Sequence, residues 1–336
     1  MILPIADTTF VEATWILILK SIVIFAVIFA IVPMLTVMER KLLGRFQARY
    51  GPNRVGPLGL LQPLADAVKL ISKEHYRPRA AIPLLYYIAP SIVVFTGVAT
   101  LAIIPFGNVQ DGFGLYGIDV PIGILYFFAF SSIAFYGLLL GGWASGSKYS
   151  FLGAMRAAAQ LISYEVSQGL ALVGVVMTAG TLSMTGIVHA QEGMWYFIPQ
   201  LVGFLIFLTA SFAETNRPPF DLVEADAELV QGYMTEYGGA RFASYYFAEY
   251  LNVLVVSGLT VTLFLGGWSI PFVDPPTWVD PIVVLVKMVL FSLFFIWVRA
   301  TLPRLRYDQL MSFGWKILLP LATLNALVTA ILVVTL

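Results

Sequence analysis

The chain has 336 residues, 59% of them apolar and 11% charged, with no formal net charge at neutral pH. A soluble domain carries roughly 25% charged residues, so this composition excludes an ordinary globule and makes lipid the solvent for much of the surface. With no cysteine and only two histidines, thiolate-held iron–sulfur clusters and structural zinc are excluded, and the zero net charge gives no sign of a nucleic-acid partner.

Crossing the hydrocarbon takes about 20 apolar residues. Backbone groups in lipid must be satisfied within the segment, which makes helices the expected spans, and no alternating ten-residue pattern suggests a barrel. The first span is predicted at 15–38. This run is long and lacks a basic leader, so no cleavable signal peptide is expected. Lys20 reads as a lysine snorkelling to the interface. In the connection 39–81, Leu60, Leu61, Leu64, Val68 and Ile71 follow helical spacing, with Gln62, Asp66, Lys69 and Lys73 on the other face. Residues 58–74 are too polar to span. They predict an amphipathic helix along the cytoplasmic interface, packing on a soluble partner being the alternative. Further spans are predicted at 82–105 and 121–144.

The fourth span, 157–179, carries Glu165 in the run AAAQLISYEVSQGLAL, about 13 Å beyond Arg156 at ~1.5 Å per residue. A carboxylate at such depth is a functional candidate by default. Gln160, Ser163, Tyr164, Ser167 and Gln168 form one polar face with Glu165 on its flank. That face is expected to line a hydrated cavity in which Glu165 relays protons; a hydrogen-bonded helix–helix seam is the plainer reading. A fifth span at 194–213 leads into the cytoplasmic loop 214–242, which holds Glu214, Asp221, Glu224, Asp226, Glu228 and Glu236. Such a run is ordinarily a solvated acidic loop. The interleaved Phe220, Leu222, Val223, Leu229, Val230 and Tyr233 instead suit a loop folded against a cavity or a partner. Crowded carboxylates are expected to raise one another's proton affinity.

The sixth span, 243–268, holds Glu249, about 12 Å beyond Arg241. An interfacial tyrosine belt accounts for the neighbouring Tyr245, Tyr246 and Tyr250, but not for the glutamate. The seventh, 281–300, contains Lys287, which either pairs with one of these glutamates or snorkels outward. The eighth is predicted at 313–335. The fold class is thus all-α membrane protein, a single integral membrane domain over 1–336 with eight transmembrane helices and an interfacial helix after the first.

Charge placement supports that count. The connections 39–81, 145–156, 214–242 and 301–312, with the helix ends beside them, carry every Lys and Arg except Lys20 and Lys287. The opposite side has none, but carries Asp7, Glu12, Asp111, Asp119, Glu192, Asp274 and Asp280. By the positive-inside rule the basic side is cytoplasmic, and both termini face outward. His75 and His189 then fall on opposite sides, which argues against a bis-histidine haem.

The runs ERKLLGRFQARYGPNRVGP (39–57), SYEVSQG (163–169), FAETNRPPFDLVEADAELVQGYMTEY (212–237), FAEY (247–250) and WVRATLPRLRYDQLM (297–311) closely resemble the H-subunit family of bacterial NADH:quinone oxidoreductase, whose mitochondrial counterpart is subunit 1 of complex I. The resemblance extends from the first span to the last. It implies a quinone tunnel opening between the first span, the interfacial helix and the sixth span, with Glu39 and Arg40 near its mouth and Arg299 a charge beside the cavity. It further implies a coupling chain through Phe220, Asp221, Glu224, Asp226 and Glu228 to the relay residues Glu214, Glu249 and Glu165, to which the buried Lys287 is added. Quinone is the implied substrate. The chain itself is expected to hold no cofactor: iron–sulfur clusters, FMN and NADH belong to partner subunits, both membrane and peripheral. The implied location is the bacterial inner membrane, with both termini periplasmic. A homologous subunit of a membrane-bound hydrogenase or of a reduced-deazaflavin dehydrogenase shares this scaffold. A stand-alone ion or solute transporter would suit the buried charges, but no inverted repeat or matched pair of broken helices is evident.

Overall fold

The computed structural model describes residues 14–108, 115–222, 226–271 and 276–335. Of the residues singled out above, Asp7, Glu12, Asp111, Val223, Glu224 and Asp274 lie outside these, as does the side chain of Asp226. Among the described residues the regular structure is helical, with no β-strand.

Helix α1 covers Thr14–Phe46 and so runs beyond the predicted end at 38. The polar stretch Glu39–Phe46 is rich in good helix formers and contains no proline, so falling hydropathy ends the apolar span without ending the helix. A 3-10 turn at Pro57–Gly59 precedes α2 (Gln62–Ser72), none of whose residues is buried; it is shorter than the predicted 58–74. Next come α3 (Pro83–Leu101), α4 (Gly123–Ala144) and α5 (Lys148–Ala179). Helix α5 absorbs most of the expected connection 145–156. A short α6 (Met184–His189) and a turn at 196–200 lead to α7 (Leu201–Glu214), then α8 (Asp226–Leu229) and α9 (Gly239–Phe264). The chain closes with α10 (Asp280–Thr301), α11 (Tyr307–Phe313), a π-helical turn at Gly314–Leu318 and α12 (Leu319–Thr335).

Among the described residues seven helical segments are long and apolar enough to cross a membrane, and the chain is a multi-pass membrane protein. Helix α7 stands in place of the fifth predicted span. Its 14 residues cover about 21 Å, less than the ~30 Å hydrocarbon core. Pro199 lies in the turn before it and cannot supply the amide that a continuous helix over 194–213 would need.

Helix α9 is the axis of the fold. Every residue from Val253 to Phe264 is buried, as expected for a helix that is apolar all round. Its Ser257, Thr260 and Thr262 hydroxyls are satisfied by carbonyls one turn back. By contrast α10 and α12 expose Ile282, Val286, Leu290, Leu324, Leu327 and Ile331, apolar surface that only lipid or other apolar helices can solvate. Glycines let backbones meet. A Cβ on Gly142 would collide with the Ala154 methyl, and one on Gly153 would stand 2.7 Å from the Cα of Gly232. The second contact seats the acid loop on α5.

Candidate functional site

Four helices bring acids and amides together inside the bundle. Glu165 and Gln168 from α5, Glu214 from the end of α7, and Glu249 and Asn252 from α9 line one cavity with Ser131 of α4. Its volume of about 80 Å³ is room for several waters, and its polar lining can hold them. Gln168 Nε2 donates to Glu214 Oε2 (2.7 Å) and Ser131 Oγ to Glu214 Oε1 (3.0 Å). Ser132 Oγ donates to Glu165 Oε1 at 2.7 Å. Glu214 thus has a donor on each oxygen, and Glu165 and Glu249 open onto the same space.

The polar face of α5 is divided between the two meanings offered for it. Gln168 and the flanking Glu165 meet the cavity. Gln160, Ser163 and Tyr164 instead stitch helices and loops: Gln160 Nε2 donates to the carbonyls of Ala213 (2.8 Å) and Phe220 (2.9 Å), and Tyr164 Oη to that of Leu310 (2.9 Å). Trp315, in the π-helical turn, donates its indole N–H to Ser163 Oγ. A sequence face says which residues share a side of a helix. It does not say which neighbour stands opposite each turn.

From Glu249 a charged bridge leaves the cavity. Arg217 Nε lies 2.9 Å from Glu249 Oε1, with the geometry of an ion pair and not of an aimed hydrogen bond. Its Nη1 donates to both Glu39 oxygens (3.1 and 3.2 Å), and Glu39 also binds Arg299. The guanidinium sits 4.4 Å from the centre of the Tyr250 ring. Burial alone would weaken the hold of Arg217 on its proton, but the carboxylates of Glu249 and Glu39 outweigh it and keep the group above its ordinary pKa. With both acids ionised the quartet is formally neutral, which is how buried charges become tolerable. Arg217 is the principal residue missed by sequence reasoning. Its only signal there is a lone arginine between an apolar helix and an acidic loop. Tyr245 and Tyr250 are buried beside this network, which rules out the interfacial belt for both.

Beyond the bridge, a surface groove of about 400 Å³ lies between α1, α2 and α9. Pro33, Thr36, Arg40, Asp66, Phe242 and Tyr246 are among its walls, and Arg40 pairs with Asp66 at 2.7 Å. Apolar walls with a few charges suit an organic ligand with a polar head.

The acid loop is not uniformly acidic in effect. Phe220 is buried against Tyr164 (ring centres 5.5 Å apart), and Asp221 follows it half-buried. Glu228 lies outside, between Arg156 (2.6 Å) and Arg304 (3.2 Å). The expected mutual repulsion does not govern it: the Arg156 hydrogen bond leads in holding its carboxyl below the ordinary glutamate range. Because the folded-state pKa is lowered, whatever stability the contact adds is present above the unfolded glutamate value and is lost as pH falls through the folded one. The pair is solvent-exposed, so Glu228→Gln should cost under ~1 kcal/mol near neutrality and leave less acid-induced destabilisation of the loop. Hydrogen exchange of residues 226–237 followed against pH tests this.

Lys287 is not brought to any of these acids. Its ammonium donates to the carbonyls of Leu265, Gly267 and Ser269 at 2.9, 2.8 and 2.7 Å, so it does not pair with a glutamate. The turn that ends α9 carries these carbonyls within reach, a tertiary fact with no trace in the run IVVLVKMVLFSLFFIW. Among the described residues no group of three His, Asp or Glu side chains is placed to hold a metal ion.

Comparison with known proteins places these residues in a family setting. Residues 19–330 match the family model described as NADH dehydrogenase. The chain is 52% identical over 314 residues to the NADH-quinone oxidoreductase H-subunit 2 of Geobacter sulfurreducens, covering 92% of this chain and 94% of that protein. It is 51% identical over 314 residues to the H-subunit 1 of Geobacter metallireducens, with the same shares covered. The corresponding H-subunit of Rhodospirillum rubrum is 46% identical over 323 residues, covering 95% and 94%.

Proposed function

This chain belongs to the NADH dehydrogenase family, and on that premise we propose that it is the membrane subunit of a proton-pumping NADH:quinone oxidoreductase that admits quinone and couples its reduction to proton movement. It carries no redox centre of its own. With no cysteine in 336 residues, electrons must reach quinone from iron–sulfur proteins, FMN and NADH on partner subunits. The groove between α1, α2 and α9 is the mouth through which quinone enters from the bilayer. Arg40 and Asp66 mark its polar rim.

The observation that carries this reading is the unbroken line from that mouth to a buried acid cavity. Tyr250 lines the groove and stacks on Arg217, and Arg217 joins Glu39 to Glu249, which opens on Glu214 and Glu165. Quinone reduction consumes protons and shifts charge at the inner end of the tunnel. The guanidinium between two carboxylates responds to such a shift, because any change in charge on Glu39 alters its hold on Glu249. Waters in the cavity then carry protons among Glu249, Glu214 and Glu165 toward neighbouring membrane subunits. The loop residues Phe220, Asp221, Glu224, Asp226 and Glu228 take part in this coupling.

The same reading sets the topology. Eight crossings, with the turn 196–200 completing the short α7, place the basic connections on the cytoplasmic face of the inner membrane and both termini in the periplasm. Helix α2 lies along the cytoplasmic interface with Leu61, Leu64, Val68 and Ile71 in the acyl boundary; all four are exposed in the isolated chain. The whole chain then acts as one membrane domain.

Glu165→Gln in the assembled complex tests the coupling role. Proton pumping driven by quinone reduction should fall about a hundredfold or more, the scale at which a positioned proton-transfer group acts. NADH oxidation by an artificial acceptor should be unchanged. Full coupled activity in that variant removes Glu165 from the pathway.

A further inference from the structure

We propose that Ser131 and Ser132, consecutive residues of α4, are the positioning pair of the acid cavity, fixing Glu214 of α7 and Glu165 of α5 relative to one another. In sequence the two serines interrupt the apolar run FAFSSIAF, near the middle of the 22-residue helix Gly123–Ala144. A helical serine or threonine commonly spends its hydroxyl on the carbonyl one turn back, as Ser163, Ser257, Thr260, Thr262 and Ser292 do here. Ser131 and Ser132 reach across instead. Ser131 Oγ donates to Glu214 Oε1 at 3.0 Å, and Ser132 Oγ to Glu165 Oε1 at 2.7 Å. Acids from two helices are thus tied to adjacent residues of a third. That third helix is a firm base. Further along α4, a Cβ on Gly137, Gly141 or Gly142 would collide with Val93 of α3, the Tyr245 hydroxyl of α9 or the Ala154 methyl of α5. Close approach at small residues is how helices lock together in lipid.

With these acids as the proton relay, the reading on which this role rests, their separation matters. A displacement of ~1 Å at a reacting group can cost about a hundredfold in rate, and an untied glutamate carboxyl swings further than that about its own side chain. The hydroxyl also suits an acid that changes charge. Serine has one donor and two lone pairs. It donates to a carboxylate and, after rotation, accepts from a carboxylic acid, so the tie survives the arrival of a proton. The other partner of Glu214 is different. Gln168 Nε2, 2.7 Å from Oε2, is a donor only. Oε2 therefore stays an acceptor, and a proton on Glu214 is held at Oε1, on the Ser131 side. Ser131 lines the cavity with both acids. Ser132 holds Glu165 from the exposed flank of α4, so that Glu165 is fixed where the cavity meets the outer face of the bundle.

The test uses the assembled complex and two readouts. In redox-induced infrared difference spectra, the carboxyl bands of Glu214 and Glu165 are assigned by their loss in Glu214→Gln and Glu165→Gln. Ser131→Ala should shift the Glu214 band and leave that of Glu165 in place, and Ser132→Ala should do the reverse. Quinone-coupled pumping per assembled complex should fall roughly tenfold to a hundredfold in each, with a larger solvent deuterium isotope effect. Ser131→Thr and Ser132→Thr keep the hydroxyl and should restore both readouts. Bands unmoved by the alanine variants, or no band from either acid, would overturn the pair whatever pumping does. Native pumping in the double alanine variant beside an inactive Glu165→Gln would overturn it too. Native pumping in Glu165→Gln itself would instead strike the relay reading, and the bands then decide the ties alone. Should an alanine variant fail to assemble, the near-isosteric Ser131→Cys and Ser132→Cys, whose thiols are weak donors, carry the same expectations.

Discussion

Arg217→Met is expected to abolish quinone-coupled proton pumping and to lower the amount of assembled complex. Among the described residues the guanidinium is the only group seen contacting both Glu39 and Glu249, and both acids are held at low dielectric. Removing one partner of a buried ion pair costs roughly 3–5 kcal/mol, because the other charge stays behind uncompensated. Here two carboxylates would be affected, although Arg299 still reaches Glu39. Arg217→Lys should rescue little, since a single ammonium cannot span two acids and stack on Tyr250 as the planar guanidinium does. The pairing of variants separates structure from coupling. Adding Glu249→Gln to Arg217→Met should restore part of the lost thermal stability, as coupled neighbours do in a double-mutant cycle, without restoring pumping. Native-level pumping in Arg217→Met would show that the bridge plays no part.

Gly153→Val should be nearly as damaging, for a purely steric reason. A Cβ at this position meets Gly232 Cα at 2.7 Å, Tyr233 N at 2.8 Å and Gly232 C at 2.9 Å, so only backbone stands opposite and no side chain can swing away. Valine adds two further carbons to that collision. Overpacking of this kind costs ~1–3 kcal/mol or more, and the loop must lift from α5 to relieve it. Glu228 would then lose Arg156, and Tyr233 would leave the wall of the acid cavity. The expected result is a complex that assembles poorly, melts early and couples weakly, with Gly153→Ala intermediate. Gly97→Ala is the control: its Cβ would meet the flexible Leu251 Cδ2 at 3.0 Å, and the effect should be slight. A Gly153→Val complex with native Tm and coupling would mean that the loop does not need this seat.

The two variants probe features of different legibility. Glu165, Glu214 and Glu249 stand out in the sequence because a carboxylate in an apolar run is costly wherever the run ends up. Their convergence on one cavity is not legible there, since α5, α7 and α9 meet through residues far apart in the chain. Arg217 reads as one more basic residue on the basic side. Only packing shows that it is buried to 4% exposure and shared between two acids. Lys287 stands out for the same reason as the glutamates, yet the sequence offers it the wrong company. Its partners are backbone carbonyls, which every residue has and no sequence pattern advertises. The polar face of α5 is correctly drawn from helical spacing, but much of it serves as fastening.

Taken alone, the sequence determined that this chain is helical and lives in lipid. Those properties follow from local composition, because hydrocarbon enforces them residue by residue through the cost of unsatisfied backbone and exposed charge. It also carried the family motifs and the acids at depth. Tertiary structure decided which of those acids line one cavity, which arginine joins them and what Lys287 holds. Such facts depend on distances between helices, and those are set by close approach at residues like Gly142 and Gly153, whose contribution is the absence of a side chain.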